Sequence, residues 1–130
     1  PPHNIPVRPG PARELRISAR FSGNLMSYDK LVADALQLGA VKGPQHFPGV
    51  MVGFDNTARR QWTSDSWWGA NPYTFHRWLL KTVESLGDRP EASRLVFINA
   101  WNEWAEAAVL EPTARHGRSY LQAVRNVVFS

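Results

Sequence analysis

Apolar residues recur along this chain in two patterns, short continuous runs and helical spacing. The runs Val50–Phe54 and Leu95–Ile98 are short and β-prone, and they predict two buried strands, the second covered on both faces. Helical spacing marks three further segments, which begin near Tyr28, Pro72 and Tyr120. The order helix, strand, helix, strand, helix predicts βαβ units with parallel strands.

Capping residues indicate where the first two helices begin and end. Ser27 is the expected N-cap of the first helix, and Gly39 is its expected stop. Asn71 followed by Pro72 predicts the start of the second helix, because proline is favoured at the first helical position. Gly87 is expected to close that helix.

The amino-terminal segment has a different composition. Residues 1–14 contain five prolines, which exclude a helix or a central strand and predict an extended arm. Residues 15–21 alternate apolar with polar side chains, which predicts an edge strand. We therefore divide the chain into an arm with an edge strand, 1–26, and a domain, 27–130. Within the domain, residues 61–70 lack periodicity and are expected to form a long loop.

Composition narrows the classes of protein. The 130 residues are 43% hydrophobic and 20% charged, which is ordinary for one globular domain. The net charge of +4 comes from scattered basic residues, so no nucleic-acid partner is expected. The chain has no cysteine, which excludes thiolate sites and favours the cytoplasm, and no apolar run of the roughly 18 residues that span a bilayer. The four histidines lack ligand spacing, so we expect no metal and no cofactor.

Tryptophan is the compositional outlier, with six residues. Five of them lie in or beside predicted loops: Trp62, Trp67, Trp68, Trp101 and Trp104. Exposed aromatic faces suit sugar binding, because pyranose C–H groups stack on them. Large buried areas also make tryptophan a core residue. The set fits both interpretations equally.

The second predicted strand leads directly into two glutamates, Glu103 and Glu106. If the chain turns helically there, their Cβ atoms lie about 5–6 Å apart, which favours one protonated carboxyl group beside one ionised group. Cleavage or formation of a glycosidic bond needs such an acid and base pair. Asn102 offers a donor for a sugar hydroxyl, and Trp101 and Trp104 would exclude water. The spacing is also typical of a solvent-facing acidic turn at a helix N-terminus.

The sequence of this segment closely resembles a motif of a known family. Phe97–Glu106, followed by Leu110–Pro112, resembles the end of the glycosyltransferase WbsX-like family, which is associated with bacterial O-antigen and other surface-polysaccharide biosynthesis. Phe54–Arg60 resembles the second signature of the same family, and Pro72–Leu79 resembles the helix between the two signatures. The resemblance covers about residues 27–128.

The resemblance implies a fold and partners. The family is similar to glycoside hydrolase family 99, the endo-α-mannosidases, which are (β/α)8 barrels. A full barrel takes roughly 250 residues, so we expect an α/β, partial TIM-barrel-like domain made of carboxyl-terminal βα units with parallel strands. The expected partners are a glycan or sugar-donor substrate, together with a missing barrel half or a second copy of the chain.

The resemblance also implies roles for single residues. Glu103 matches the carboxylate that deprotonates the sugar 2-hydroxyl in the retaining hydrolases, and Glu106 matches the general acid/base. Residues of both signatures are expected to line the substrate-binding cleft: Trp101, Asn102, Trp104, Glu111, Asp55, Asn56 and Arg59.

Two positions depart from the family pattern. Ala107 stands where the family usually has glycine, and a positive φ there would cost alanine about 1 kcal/mol or more. Ala105 stands where the hydrolases have histidine, so transfer and hydrolysis both stay open.

We expect a carbohydrate-active domain that acts on glycosidic bonds, and as alternatives a non-catalytic glycan-binding or scaffold fragment or an endo-mannosidase-like hydrolase.

Overall fold

The computed structural model of the protein describes residues 17–39, 43 and 46–129. The predicted proline-rich arm therefore lies outside the described residues. In chain order the elements are β1 (Asn24–Ser27), α1 (Tyr28–Leu38), β2 (Gly49–Met51), β3 (Phe54–Asp55), α2 (Thr57–Arg60), β4 (Asp65–Trp68), α3 (Pro72–Glu84), β5 (Phe97–Asn99), β6 (Asn102–Glu103), β7 (Ala108–Val109) and α4 (Ser119–Val128). Three short 3₁₀ turns also occur, at Gln61–Thr63, Glu91–Ser93 and Trp104–Glu106.

The strands form three small sheets, two of which contain a parallel pair. In the first sheet β4 lies between β1, to which it is parallel, and β3, to which it is antiparallel. In the second, β2 and β5 are parallel, and Val50 is in register with Ile98. In the third, β6 and β7 are antiparallel. The predicted α/β class with parallel strands is confirmed at this level.

The predicted helix caps account for the ends of α1 and α3. The Ser27 hydroxyl accepts the backbone N–H of Lys30 at 3.2 Å, and α1 stops before Gly39, whose φ is 71°. The Asn71 side chain accepts the backbone N–H of Thr74 at 2.9 Å, with Pro72 at the first helical position. Helix α3 ends at Glu84, and a turn separates it from the expected stop at Gly87.

One apolar core joins the helices to the strands. Helix α3 packs between α1 and α4, and it also contacts β2. The buried core residues are Tyr28, Leu31, Val32, Val50, Met51, Val52, Phe75, Trp78, Leu79, Ala108, Leu110, Tyr120, Ala123 and Val127. The three long helices thus share one core with β2.

The other face of β5 is open among the described residues. Phe97 is 61% exposed and Leu95 is 48% exposed, whereas Val96 and Ile98 pack against the core. The prediction of a strand buried on both faces was therefore wrong, because the described helices leave Leu95 and Phe97 uncovered. Phe47 packs edge to face on Phe97 with ring centroids 6.3 Å apart, so the exposed surface is a small aromatic cluster.

Two further predictions of local structure were wrong. Residues 17–21, the described part of the predicted edge strand, form no strand, and the strand lies instead at β1. Residues 61–70 contain a 3₁₀ turn and the strand β4 rather than one loop. Strands β1 and β4 pair in parallel with each other, and local periodicity does not report such a pairing. A close backbone approach precedes them: a Cβ on Gly23 would lie 1.9 Å from the carbonyl oxygen of Ser64.

Candidate functional site

Two polar segments leave neighbouring parallel strands at the same edge. Strand β2 ends at Met51 in register with Asn99, the last residue of β5. The backbone N–H of Val52 continues the pairing by donating to the Asn99 carbonyl at 3.0 Å. The peptide bond between Asn99 and Ala100 is cis. The segments after these strands, Phe54–Arg60 and Asn102–Glu111, therefore start side by side.

An ion pair joins the two segments. Nη1 of Arg59 lies 2.7 Å from Oε1 of Glu106, and the two side chains are 54% and 23% exposed. The 3₁₀ turn that carries Glu106 packs against α2 and β3. The structure thus brings together one residue from each of the two predicted signatures, separated by 47 positions in sequence.

The two glutamates differ in their surroundings. Glu103 lies on β6 opposite Ala108 and is exposed, and within the part of the chain that the structure describes its carboxylate has no hydrogen bond or ion pair. The chain turns helically only over Trp104–Glu106, as a single 3₁₀ turn. Glu103 and Glu106 therefore do not share one helical face, because Glu103 lies on strand β6 and only Glu106 lies in the turn. One carboxylate is open to solvent and the other is held by a cation.

Ala107 ends this turn in a left-handed conformation, with φ 48° and ψ 25°. Its N–H donates to the Trp104 carbonyl at 3.2 Å and closes the turn. This position, where the family usually has glycine, therefore has a positive φ, and in this chain alanine adopts it. Gly53 lies below, where a Cβ would be 3.2 Å from the Ala70 Cβ and 3.5 Å from the Ala107 carbonyl.

Two tryptophans stand at the rim of the site. Trp101 is 52% exposed and Trp104 is 58% exposed. The indole N–H of Trp104 donates to Oε2 of Glu111 at 2.9 Å, which fixes the edge of an otherwise exposed ring. The Trp101 carbonyl accepts the N–H groups of Leu110 and Glu111 at 3.0 and 3.1 Å, so both tryptophans are tied to the segment that returns after β7.

The remaining tryptophans divide between surface and interior. Trp62 is also exposed, whereas Trp78 is buried in α3. Trp67 packs against the core and meets Phe54 edge to face, with centroids 5.5 Å apart. The core interpretation therefore holds for Trp67, whereas Trp62, Trp101 and Trp104 are exposed and their role in sugar binding stays a prediction.

Asp55 supports the backbone of the first signature. Its Oδ1 accepts the N–H of Thr57 at 3.0 Å and the hydroxyl of Ser66 at 2.8 Å. Partial burial opposes ionisation, but the hydrogen bonds from Thr57 and Ser66 outweigh it and hold the pKa of Asp55 below its ordinary value of 3.8. Ser66 was not predicted, because the sequence pattern assigned its strand to a loop.

Asn56 and Asn102 complete the predicted set. Asn56 precedes α2, and its carbonyl accepts the N–H groups of Arg59 and Arg60 at 3.1 and 3.0 Å. Its side-chain Oδ1 is buried and has no donor among the described residues. Asn102 is exposed on β6, in register with Val109. The predicted residues thus share one edge of the fold, where the contacts place Arg59 on Glu106 and Trp104 on Glu111.

The fold and this rim define an α/β protein with carboxylates and exposed tryptophans at its strand ends. The chain belongs to the glycosyltransferase WbsX family, whose sequence profile matches residues 6–124. This membership confirms the family resemblance and indicates a carbohydrate-related role.

Two relatives match almost the whole chain. Both are described as the uncharacterized protein WxcX, from two strains of Xanthomonas campestris pv. campestris, and each is 39% identical over 129 residues. The match covers 98% of this chain but only 18% of each relative. No solved structure matches the chain significantly.

The described ranges contain neither a metal-binding cluster nor a membrane-spanning helix. There, no three His, Asp or Glu side chains lie close enough together to hold a metal ion. In the same residues no helix has the length and apolar character needed to cross a membrane.

Proposed function

We propose that this chain is a carbohydrate-active domain that acts on glycosidic bonds, as a glycosyltransferase in bacterial O-antigen or surface-polysaccharide biosynthesis. The domain is the carboxyl-terminal part of a (β/α)8 barrel related to glycoside hydrolase family 99, and it works in the cytoplasm. The observation that carries the proposal is the Arg59–Glu106 contact, which unites the two family signatures at the carboxyl edge of parallel strands. Active sites in barrels of this class lie at that edge.

Glu103 and Glu106 carry the chemistry in this proposal. Glu103, open to solvent on β6, is the base that withdraws the proton of a sugar 2-hydroxyl. Glu106, held in the turn, is the acid that protonates the departing oxygen and then the base that activates the acceptor. Trp101 and Trp104 supply faces for the sugar rings, because both are more than half exposed at the rim.

Polar side chains of both segments orient the substrate. Asn102 is exposed next to Glu103 and presents a donor and an acceptor to sugar hydroxyls. Glu111 fixes the Trp104 ring through its indole N–H. Asp55 and Asn56 of the first signature complete the cleft, and Arg59 lies in contact with Glu106.

The open face of β5 bears on the partners. Parallel sheets are normally covered on both faces, and Phe97 and Leu95 leave one face apolar and exposed among the described residues. We therefore propose that this face packs against further barrel strands or against a second copy of the chain.

The test replaces each glutamate with glutamine in the intact protein. Glu103→Gln and Glu106→Gln should each abolish sugar transfer or release, measured by mass spectrometry on labelled oligosaccharides and activated sugar donors. Glu91→Gln, on an exposed 3₁₀ turn away from the site, is the matched control and should keep the wild-type rate. Wild-type rates in both site variants would refute the assignment.

A second candidate is a non-catalytic glycan-binding module. It is favoured by a specific observation, namely that Glu106 is engaged by Arg59 while the exposed surfaces of the rim are aromatic. Calorimetry with the same oligosaccharides separates the two functions. Binding without turnover, lost in Trp101→Ala and Trp104→Ala but retained in both glutamine variants, would support the binding module. Turnover with hydrolysed rather than transferred product would identify an endo-mannosidase-like hydrolase.

A further inference from the structure

We propose that Arg59 is a positioning residue for Glu106 and that the first signature, Phe54–Arg60, fixes Arg59 in place. This inference rests on the proposed function of Glu106. The family resemblance implies that Arg59 lines the substrate-binding cleft. In the structure its Nη1 donates instead to Oε1 of Glu106 at 2.7 Å. A charge-assisted contact of this length fixes the direction of the carboxylate.

A series of hydrogen bonds connects the backbone around Arg59 to strand β4. Ser66, on β4, donates to Asp55 at 2.8 Å, and the same Asp55 oxygen accepts the N–H of Thr57 at the start of α2. The carbonyl of Asn56 accepts the N–H of Arg59 at 3.1 Å. The backbone that carries Arg59 is therefore tied at its origin to a central strand.

The series ends at the turn that carries Glu106. That turn packs against α2 and β3, so the ion pair links two segments that already contact each other. Glu106 is 23% exposed in this position, less than the 54% of Arg59. Without the contact to Arg59, a glutamate on a short exposed turn would sample several rotamers. Proton transfer requires the carboxylate to keep one orientation relative to the substrate.

Arginine is suited to this task because its planar guanidinium presents several donors in a rigid arrangement. A lysine at the same position would supply the charge without the planar arrangement, and glutamine would supply neither. This difference gives a graded series at one residue. Arg60, its neighbour on the same exposed helix, offers a matched control, since its replacement removes the same charge and, among the described residues, Glu106 pairs with Arg59 and not with Arg60.

The first experiment separates positioning from substrate binding in the intact protein. In Arg59→Gln we expect kcat to fall about 10- to 100-fold with KM nearly unchanged, and in Arg59→Lys we expect a partial recovery of kcat. Arg60→Gln should keep both constants. A raised KM with unchanged kcat in Arg59→Gln would show that Arg59 binds substrate directly and would overturn the proposal.

The second experiment needs no turnover, and so separates this proposal from the proposed function. Amide hydrogen exchange is followed at Ala107, whose N–H closes the turn on the Trp104 carbonyl. Exchange should be faster in Arg59→Gln than in wild type, intermediate in Arg59→Lys and unchanged in Arg60→Gln. Equal exchange in all four proteins would overturn the positioning role. Accelerated exchange in a protein without turnover would uphold the positioning role and refute the catalytic function alone.

Discussion

Ala107 shows at the scale of one residue how the turn under the site is built. A Cβ in the left-handed region costs about 1–2 kcal/mol, and glycine at the same position loses only about 0.5–1 kcal/mol through its greater freedom when unfolded. We therefore expect Ala107→Gly to raise the free energy of unfolding by about 0.5–1 kcal/mol, as measured by urea denaturation.

The control for this prediction lies two residues away. Ala105 is exposed inside the same 3₁₀ turn and has no positive φ. Ala105→Gly should lower the free energy of unfolding by about 0.5–1 kcal/mol, opposite in sign to the change at Ala107. Destabilisation by both substitutions would contradict the left-handed conformation.

Asp55 gives a prediction for the dependence of stability on pH. Its pKa is lowered on folding, so its contribution to stability is present above the ordinary value of 3.8 and is lost as the pH falls through the lower folded value. Asp55→Asn should therefore lower the melting temperature at about pH 6, with the difference from wild type shrinking toward about pH 3. Calorimetry at a series of pH values measures this. Asp88→Asn, on an exposed turn, is the control for loss of one negative charge.

At the scale of elements, two tyrosines connect the helices to β2. The hydroxyl of Tyr120, on α4, donates to the Val52 carbonyl at 3.0 Å, and the hydroxyl of Tyr28, on α1, donates to the Met51 carbonyl. Both groups are buried, and burial raises the pKa of Tyr120 to about 12. These bonds anchor two helices at the end of the strand that leads into the site.

Removal of either hydroxyl should destabilise the fold. Tyr120→Phe and Tyr28→Phe each leave a buried carbonyl without that donor, which costs about 1–3 kcal/mol in urea denaturation. Tyr73→Phe is the control, because Tyr73 is 71% exposed, and it should change stability little. Equal stability of all three variants would mean that the buried bonds contribute nothing.

The elements also show which sequence signals were sufficient. The starts of α1 and α3 were predicted from Ser27 and Asn71, because a cap is a local hydrogen bond between residues three positions apart. Strand β4 was missed, because its alternation of Asp65, Ser66 and two tryptophans has no aliphatic pattern and its parallel partner β1 is distant in sequence.

At the scale of the whole molecule, the open face of β5 predicts association. Phe97, Leu95 and Phe47 present apolar side chains that the described helices do not cover. We expect concentration-dependent self-association of this chain, measured by light scattering during gel filtration, and a shift toward monomer in Phe97→Lys. Tyr73→Lys, at another exposed aromatic residue, should leave the association unchanged. A monomer at all concentrations in the wild-type chain would contradict the prediction.

The sequence by itself determined the order of the three long helices α1, α3 and α4, the two parallel neighbours β2 and β5, and the family, because these depend on periodicity, capping and sequence motifs. It also located the candidate residues on two segments, Phe54–Arg60 and Asn102–Glu111. Only the tertiary structure decided that Arg59 contacts Glu106, and that Glu103 stays open, because these facts depend on side chains 47 positions apart meeting in space. The left-handed conformation of Ala107 likewise became visible only in the structure, because it belongs to the turn that joins the paired strands β6 and β7.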